Sequence, residues 1–210
     1  MTPLAAFDAA FAACPLVAIL RGVRPDEVAG IGEELVAAGF TLIEVPMNSP
    51  DPLDSVARLV AAIGERAVIG AGTVLTPDQV AAMRDAGGRM VISPNTDLDV
   101  IRASAAAGLV SLPGFATPSE ALAALAAGAT ALKLFPAEAA SPGVLKAMLA
   151  ILPRGVRVLP VGGIVPQAMA AWRDAGAAGF GLGSALYKPG MAAAEVGRRA
   201  RDFVARLPRN

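Results

Sequence analysis

Lys133 is the residue best placed for chemistry in this 210-residue chain, within Ala131-Leu132-Lys133-Leu134-Phe135-Pro136. The run around it is apolar, and strand alternation turns Leu132 and Leu134 one way, Lys133 and Phe135 the other. With Lys133 and Phe135 facing an interior, desolvation penalises the ammonium and lowers its pKa toward a nucleophilic neutral amine. Position alone also allows a structural lysine, paired with a carboxylate or snorkelling at the strand end. The matching acid is Glu44 in Thr41-Leu42-Ile43-Glu44-Val45-Pro46, again near the end of an apolar strand. Glu44 and Lys133 are then an acid–base pair or a buried ion pair without a catalytic role. Arg21, in Ala18-Ile19-Leu20-Arg21-Gly22, sets a cation at another strand end.

Val161-Gly162-Gly163-Ile164 and Gly181-Leu182-Gly183-Ser184 are a second kind of signal. Without a Cβ the backbone approaches phosphate oxygens closely, its N–H groups and a helix N-terminus donate, and Ser184 adds a hydroxyl. One glycine pair marks a turn; two at consecutive strand ends favour a phosphate cradle. Ile69-Gly70-Ala71-Gly72-Thr73-Val74 lacks the spacing of a dinucleotide fingerprint, so it supplies Thr73 as a hydroxyl donor rather than a cofactor loop.

Composition removes most other chemistry. The chain has no histidine and one cysteine, Cys14. Ser-His-Asp and Cys-His mechanisms are therefore excluded, and zinc lacks its usual ligands; magnesium held by carboxylates is the metal option left. Acid–base work falls to Glu, Asp, Lys, Tyr, Cys14 or water. A single cysteine rules out an internal disulfide framework and suits a reducing cytoplasm. Eighteen basic and 18 acidic residues give zero net charge without a basic cluster, so nucleic acid is not an expected partner. The longest uncharged stretch, 17 residues from Ala103 to Ser119, is broken by Pro113 and Pro118 and does not read as a membrane span. The N-terminal stretch has no basic region before its apolar residues and does not read as a signal peptide.

The elements that must position these residues repeat. Gly39, Gly64, Gly87, Gly108, Gly128, Gly155 and Gly176 recur 20 to 27 residues apart, as left-handed helix stops do, and each precedes a short apolar run. Eight strands are expected: Val17–Leu20, Thr41–Val45, Ala67–Ala71, Met90–Ser93, Leu109–Leu112, Ala131–Phe135, Val156–Val161 and Gly179–Leu182. Helix starts are expected at Arg24-Pro25-Asp26-Glu27, Ser49-Pro50-Asp51-Pro52, Thr76-Pro77-Asp78 and Thr117-Pro118-Ser119-Glu120. Leu4 to Ala13 reads as an additional helix ahead of the first strand. The pattern predicts one α/β domain over 1–210, a (β/α)8 TIM barrel with an extra N-terminal helix; an open doubly wound sheet is the alternative. In such a barrel the second and sixth strands lie opposite each other, so Glu44 and Lys133 face one another across the mouth. The methionines and Trp172 read as packing.

In order along the chain, these motifs are similar to those of the class I 2-keto-3-deoxy-6-phospho-sugar-acid aldolases. The resemblance runs from about Pro15 to Tyr187, through Ala18-Ile19-Leu20-Arg21-Gly22, Glu44-Val45-Pro46-Met47-Asn48-Ser49-Pro50, Gly70-Ala71-Gly72-Thr73-Val74-Leu75, Ser93-Pro94-Asn95, Leu132-Lys133-Leu134-Phe135-Pro136 and Val161-Gly162-Gly163. It implies cofactor-free, metal-free cleavage of a phosphorylated keto-deoxy sugar acid, with Lys133 as Schiff-base lysine and Glu44 as proton shuttle. It also implies that Arg21, Thr73 and the Pro94 loop hold the substrate carboxylate, with Phe135 and Val161 completing the substrate-binding set. Gly162, Gly163, Gly183 and Ser184 hold the 6-phosphate. Members that act on the gluconate epimer carry Arg four residues after the Glu and Thr before the paired glycines. Here those positions are Asn48 and Val161, closer to the galactonate branch. The family is typically a homotrimer.

Overall fold

The computed structural model describes residues 1–208; positions 209–210, the end of the expected domain, lie outside the described residues. Its strands are β1 (Leu16–Ile19), β2 (Leu42–Pro46), β3 (Val68–Gly72), β4 (Met90–Ile92), β5 (Val110–Leu112), β6 (Gly114–Phe115), β7 (Leu132–Leu134), β8 (Val158–Pro160) and β9 (Phe180–Leu182). All pair in parallel, in a six-stranded arc of order β5-β4-β3-β2-β1-β9 and a three-stranded arc β6-β7-β8. Main-chain contacts across the two seams include a parallel bridge between Val161 and Gly181, the Ala178 N–H donating to Val158 O at 3.0 Å, and the Thr130 N–H donating to Ser111 O at 2.9 Å.

Among the described residues there are nine strands rather than the expected eight: the expected Leu109–Leu112 appears as β5, and a two-residue strand that was not expected, β6, follows Pro113. A proline has no N–H for the ladder, and the chain resumes as β6 one residue later. The expected sixth, seventh and eighth strands are therefore β7, β8 and β9.

Helices α2 (Val28–Ala37), α3 (Pro52–Ile63), α4 (Pro77–Asp85), α5 (Leu98–Ala106), α6 (Pro118–Ala126), α7 (Pro142–Leu149), α8 (Met169–Asp174) and α9 (Ala193–Val204) follow the strands. Among the described residues none is long and apolar enough to cross a membrane. Their apolar faces form the larger core against the outward strand residues, Leu132 and Leu134 included, as alternation requires; Trp172 and Met169 pack there.

The concave side is filled separately. Val17, Leu42, Val68, Met90, Val110 and Leu159 meet there beneath Phe7 and Phe11 of the extra helix, α1 (Pro3–Ala13). Arg157 lies over both rings, 5.1 Å from the Phe11 centroid, and pairs with Asp8 at 2.6 Å. The strands' N-terminal end is thus plugged, and the C-terminal ends stay open.

All four expected start runs lead into helices, but only two of them supply a side-chain cap. Thr76 and Thr117 cap α4 and α6 as expected, the latter in a full capping box. By contrast α2 starts at Val28 and α3 at Pro52, without side-chain caps. Ser49 Oγ is engaged by the Gly22 N–H at 2.9 Å, and Glu27 Oε1 accepts from the Tyr187 hydroxyl at 3.0 Å. Ser49 thus ties two loops together, and Glu27, which also accepts from the Arg24 N–H at 3.1 Å, joins the start of α2 to the loop after β9. Gly64 also departs from expectation: its φ is −61°, right-handed, whereas the other six helix-end glycines have positive φ.

Candidate active site

Lys133 sits mid-β7, in register with Leu159 of β8, and Glu44 sits in β2 beside Gly70 of β3. Both are buried, Lys133 6% exposed and Glu44 2%. They line one cavity of about 10 Å³ with Val17, Ile19, Ile92, Leu112, Leu159, Val161 and Gly181. That volume is near the minimum for one water. They form no direct salt bridge among the described residues, and Glu44 Oε2 is buried without a hydrogen-bond partner.

The electrostatics follow from burial. Desolvation pushes the Glu44 carboxyl from 4.5 up to about 7, against the pull of Lys133, Arg21 and the Gly72 N–H. Desolvation likewise lowers the Lys133 pKa; Glu44 opposes the shift and Arg21 adds to it. A buried amine with a depressed pKa beside a carboxyl poised near neutrality is suited to nucleophilic attack and proton transfer. Phe135 puts its ring centroid 4.5 Å from Lys133 Nζ. Gly72 has a steric reason to be glycine, since a Cβ there would collide with the Glu44 carboxylate.

Arg21 follows β1. Its Nη1 donates to Asn48 Oδ1 at 2.6 Å and its Nη2 to Thr73 Oγ1 at 3.5 Å. Thr73 holds a left-handed backbone, φ 54°, an uncommon conformation for a β-branched residue and one that clusters at functional sites. Three strand-end loops thus converge on one guanidinium.

A second cavity of about 510 Å³ opens beside these groups. Arg21, Phe135, Val161, Gly162, Gly163, Gly183 and Ser184, all expected site residues, line it. Gly162 and Gly163 have φ of 113° and 64°, so their glycine character is conformational. Ser184 opens a turn rather than a helix, because α9 starts only at Ala193. The expected helix N-terminus is absent there, and the available N–H groups belong to turns. Pro94 lines neither cavity, and its carbonyl packs against Gly114.

Sequence reasoning missed Glu138, Tyr187, Lys188 and Arg199, which also line the large cavity. Only Tyr187 and Lys188, close behind Ser184, had a positional cue. Glu138 lies in a 3-10 turn, Ala137–Ala139, that has no periodic signature.

A family model for KDPG and KHG aldolase matches residues 7–199. The chain belongs to that family. It is 48% identical over 186 residues to the probable 2-dehydro-3-deoxy-6-phosphogalactonate aldolase of Rhizobium meliloti (strain 1021), covering 89% of this chain and 88% of that one. It is 45% identical over 190 residues to the 2-dehydro-3-deoxy-6-phosphogalactonate aldolase of Escherichia coli (strain K12), covering 90% and 93%. A solved structure described as native KDPGal superposes with a TM-score of 0.90 at 45% identity, covering 91% of this chain and 93% of the other. As an aldolase of this family the chain is a carbon–carbon lyase.

Proposed function

We propose that this aldolase cleaves 2-dehydro-3-deoxy-6-phospho-D-galactonate to pyruvate and D-glyceraldehyde 3-phosphate through a Schiff base on Lys133. The observation that carries the reading is one small cavity shared by a buried amine and a buried, unpaired carboxyl. Neutral Lys133 Nζ adds to the C2 ketone, and the carbinolamine loses water to give an iminium. Glu44 takes the C4 hydroxyl proton, the C3–C4 bond breaks, and its electron pair moves to C3 as the iminium becomes an enamine. The aldehyde leaves. Glu44 returns a proton to C3, and water hydrolyses the imine to pyruvate and free Lys133. A carboxyl with a pKa of about 7 can both accept and donate that proton near neutrality.

Arg21, steadied by Asn48 and Thr73, holds the substrate carboxylate, and Gly162, Gly163, Gly183 and Ser184 receive the 6-phosphate. Phe135 and Val161 wall the space between, while Pro94 acts at most through its loop. Val161, 7% exposed and lining both cavities, and Asn48 select the galactonate epimer. The same reading has one domain whose arcs close into a (β/α)8 barrel, supported by the Val161–Gly181 bridge and the Thr130-to-Ser111 hydrogen bond. The family resemblance supports a cytoplasmic homotrimer.

The test is kcat/KM for pyruvate release from both C4 epimers, with Lys133→Met as control and borohydride trapping with pyruvate. Expected are a preference for the galactonate epimer and one reduced adduct on Lys133. Preference for the gluconate epimer would overturn the roles of Val161 and Asn48. An adduct on Lys146 or Lys188 would overturn the mechanism.

A further inference from the structure

We propose that Glu138 sets the discrimination between a phosphate and a hydroxyl at the far end of the substrate, and that this chain therefore also cleaves the unphosphorylated 2-keto-3-deoxy sugar acid. The inference rests on the phosphate placement given above. The turn that carries Glu138 is tied to the end of β8 by the Ala137 N–H, which donates to Val161 O at 2.9 Å. That bond aims Glu138 back over Gly162 and Gly163. A Cβ on Gly162 would run into the Glu138 carboxylate, and one on Gly163 would lie 2.8 Å from its Cγ. The carboxylate thus covers the glycine pair assigned to the phosphate.

Glu138 is the one acidic residue lining this cavity among the described residues. The cations around it have different duties. Arg21 is held by Asn48 and Thr73, while Arg199 donates to Glu195 and to the Ala185 carbonyl. Lys188 has no ion-pair partner among the described residues. A cradle serving only a phosphate dianion gains nothing from an acceptor-only carboxylate, which repels the ligand and offsets part of the attraction of the cations. A terminal hydroxyl is the opposite case. It is a donor, and a carboxylate is the acceptor it bonds best. Turn N–H groups bind the phosphate, Glu138 moderates that binding, and the same side chain gives an unphosphorylated substrate a partner at C6.

Glu138→Gln keeps the shape and removes the charge, while Glu138→Ala also removes the acceptor. For each, the dissociation constant of inorganic phosphate is measured by calorimetry, and kcat/KM is measured on the phosphorylated and unphosphorylated substrates. Both variants are expected to bind phosphate about tenfold more tightly, the scale of one like-charge contact in a water-open cavity. KM for the phosphorylated substrate falls in parallel. The unphosphorylated substrate is cleaved by the parent protein, less well by Glu138→Gln and least by Glu138→Ala. Unchanged or weaker phosphate binding in both variants would overturn the proposal. So would a ratio of the two kcat/KM values that stays within about threefold of the parent's. Borohydride trapping with pyruvate keeps the two readings apart: loss of the adduct in the parent refutes the Schiff base, while the phosphate dissociation constant still decides Glu138.

Discussion

Replacing Glu44 with glutamine separates the cost of this carboxyl to the fold from its use in catalysis. Burial raises its pKa from 4.5 to about 7, so the folded state holds the proton more tightly than the unfolded one. Below pH 4.5 both states are protonated and the group costs nothing. As pH rises from 4.5 toward 7 the unfolded chain ionises first, and stability falls. Above 7 the loss is complete. A rise of roughly two and a half units, at about 1.4 kcal/mol each, amounts to about 3.5 kcal/mol. Glu44→Gln removes this titration; any cost of the buried amide is independent of pH and cancels between two pH values. In urea denaturation at one protein concentration, the variant's stability relative to the parent should improve by about 2–3 kcal/mol between pH 5 and pH 9. In thermal melts the same change is about 5–10 °C for a chain of this size. Turnover should fall by about 10²- to 10⁴-fold, the usual worth of a general acid–base. A stability difference that is the same at both pH values would refute the account of Glu44 as a carboxyl kept neutral by burial.

Two further substitutions test the supporting shell. Gly72→Ala drives a methyl group into the Glu44 carboxylate; turnover should drop about 100-fold while borohydride still traps pyruvate on Lys133. Ser49→Ala leaves the Gly22 N–H without its acceptor. It should cost about 1–3 kcal/mol in denaturation and raise KM more than it lowers kcat, because Arg21 next to Gly22 loses its anchor.

Residue type and strand period singled out Lys133 and Glu44 as interior ionisable groups, and both are buried. Each is an ionisable residue in an apolar strand, and a period of two assigns its face. The repeat of apolar runs and helix-end glycines carried the α/β order in the same way, because both are local preferences of the backbone. Where local signals competed with distant partners, tertiary structure decided. Ser49 has the chemistry of a helix start, yet its oxygen is taken by Gly22, 27 positions away; Glu27 accepts locally from Arg24 and also from Tyr187, 160 positions away. The two-residue β6, absent from the hydrophobic pattern, exists because Gly114 and Phe115 find β7 to pair with.

The sequence by itself determined which groups the chain has available: one lysine and one glutamate in apolar strands, no histidine, and glycines at most of the helix ends where the backbone turns left-handed. Only the tertiary structure decided how those groups meet. It put the amine and the carboxyl in one cavity without letting them pair, and it aimed Glu138 across the glycine cradle. The physical reason is that residue identity and period are properties of a few neighbouring residues. Desolvation, unpaired charge and close approach depend on what the rest of the chain brings alongside.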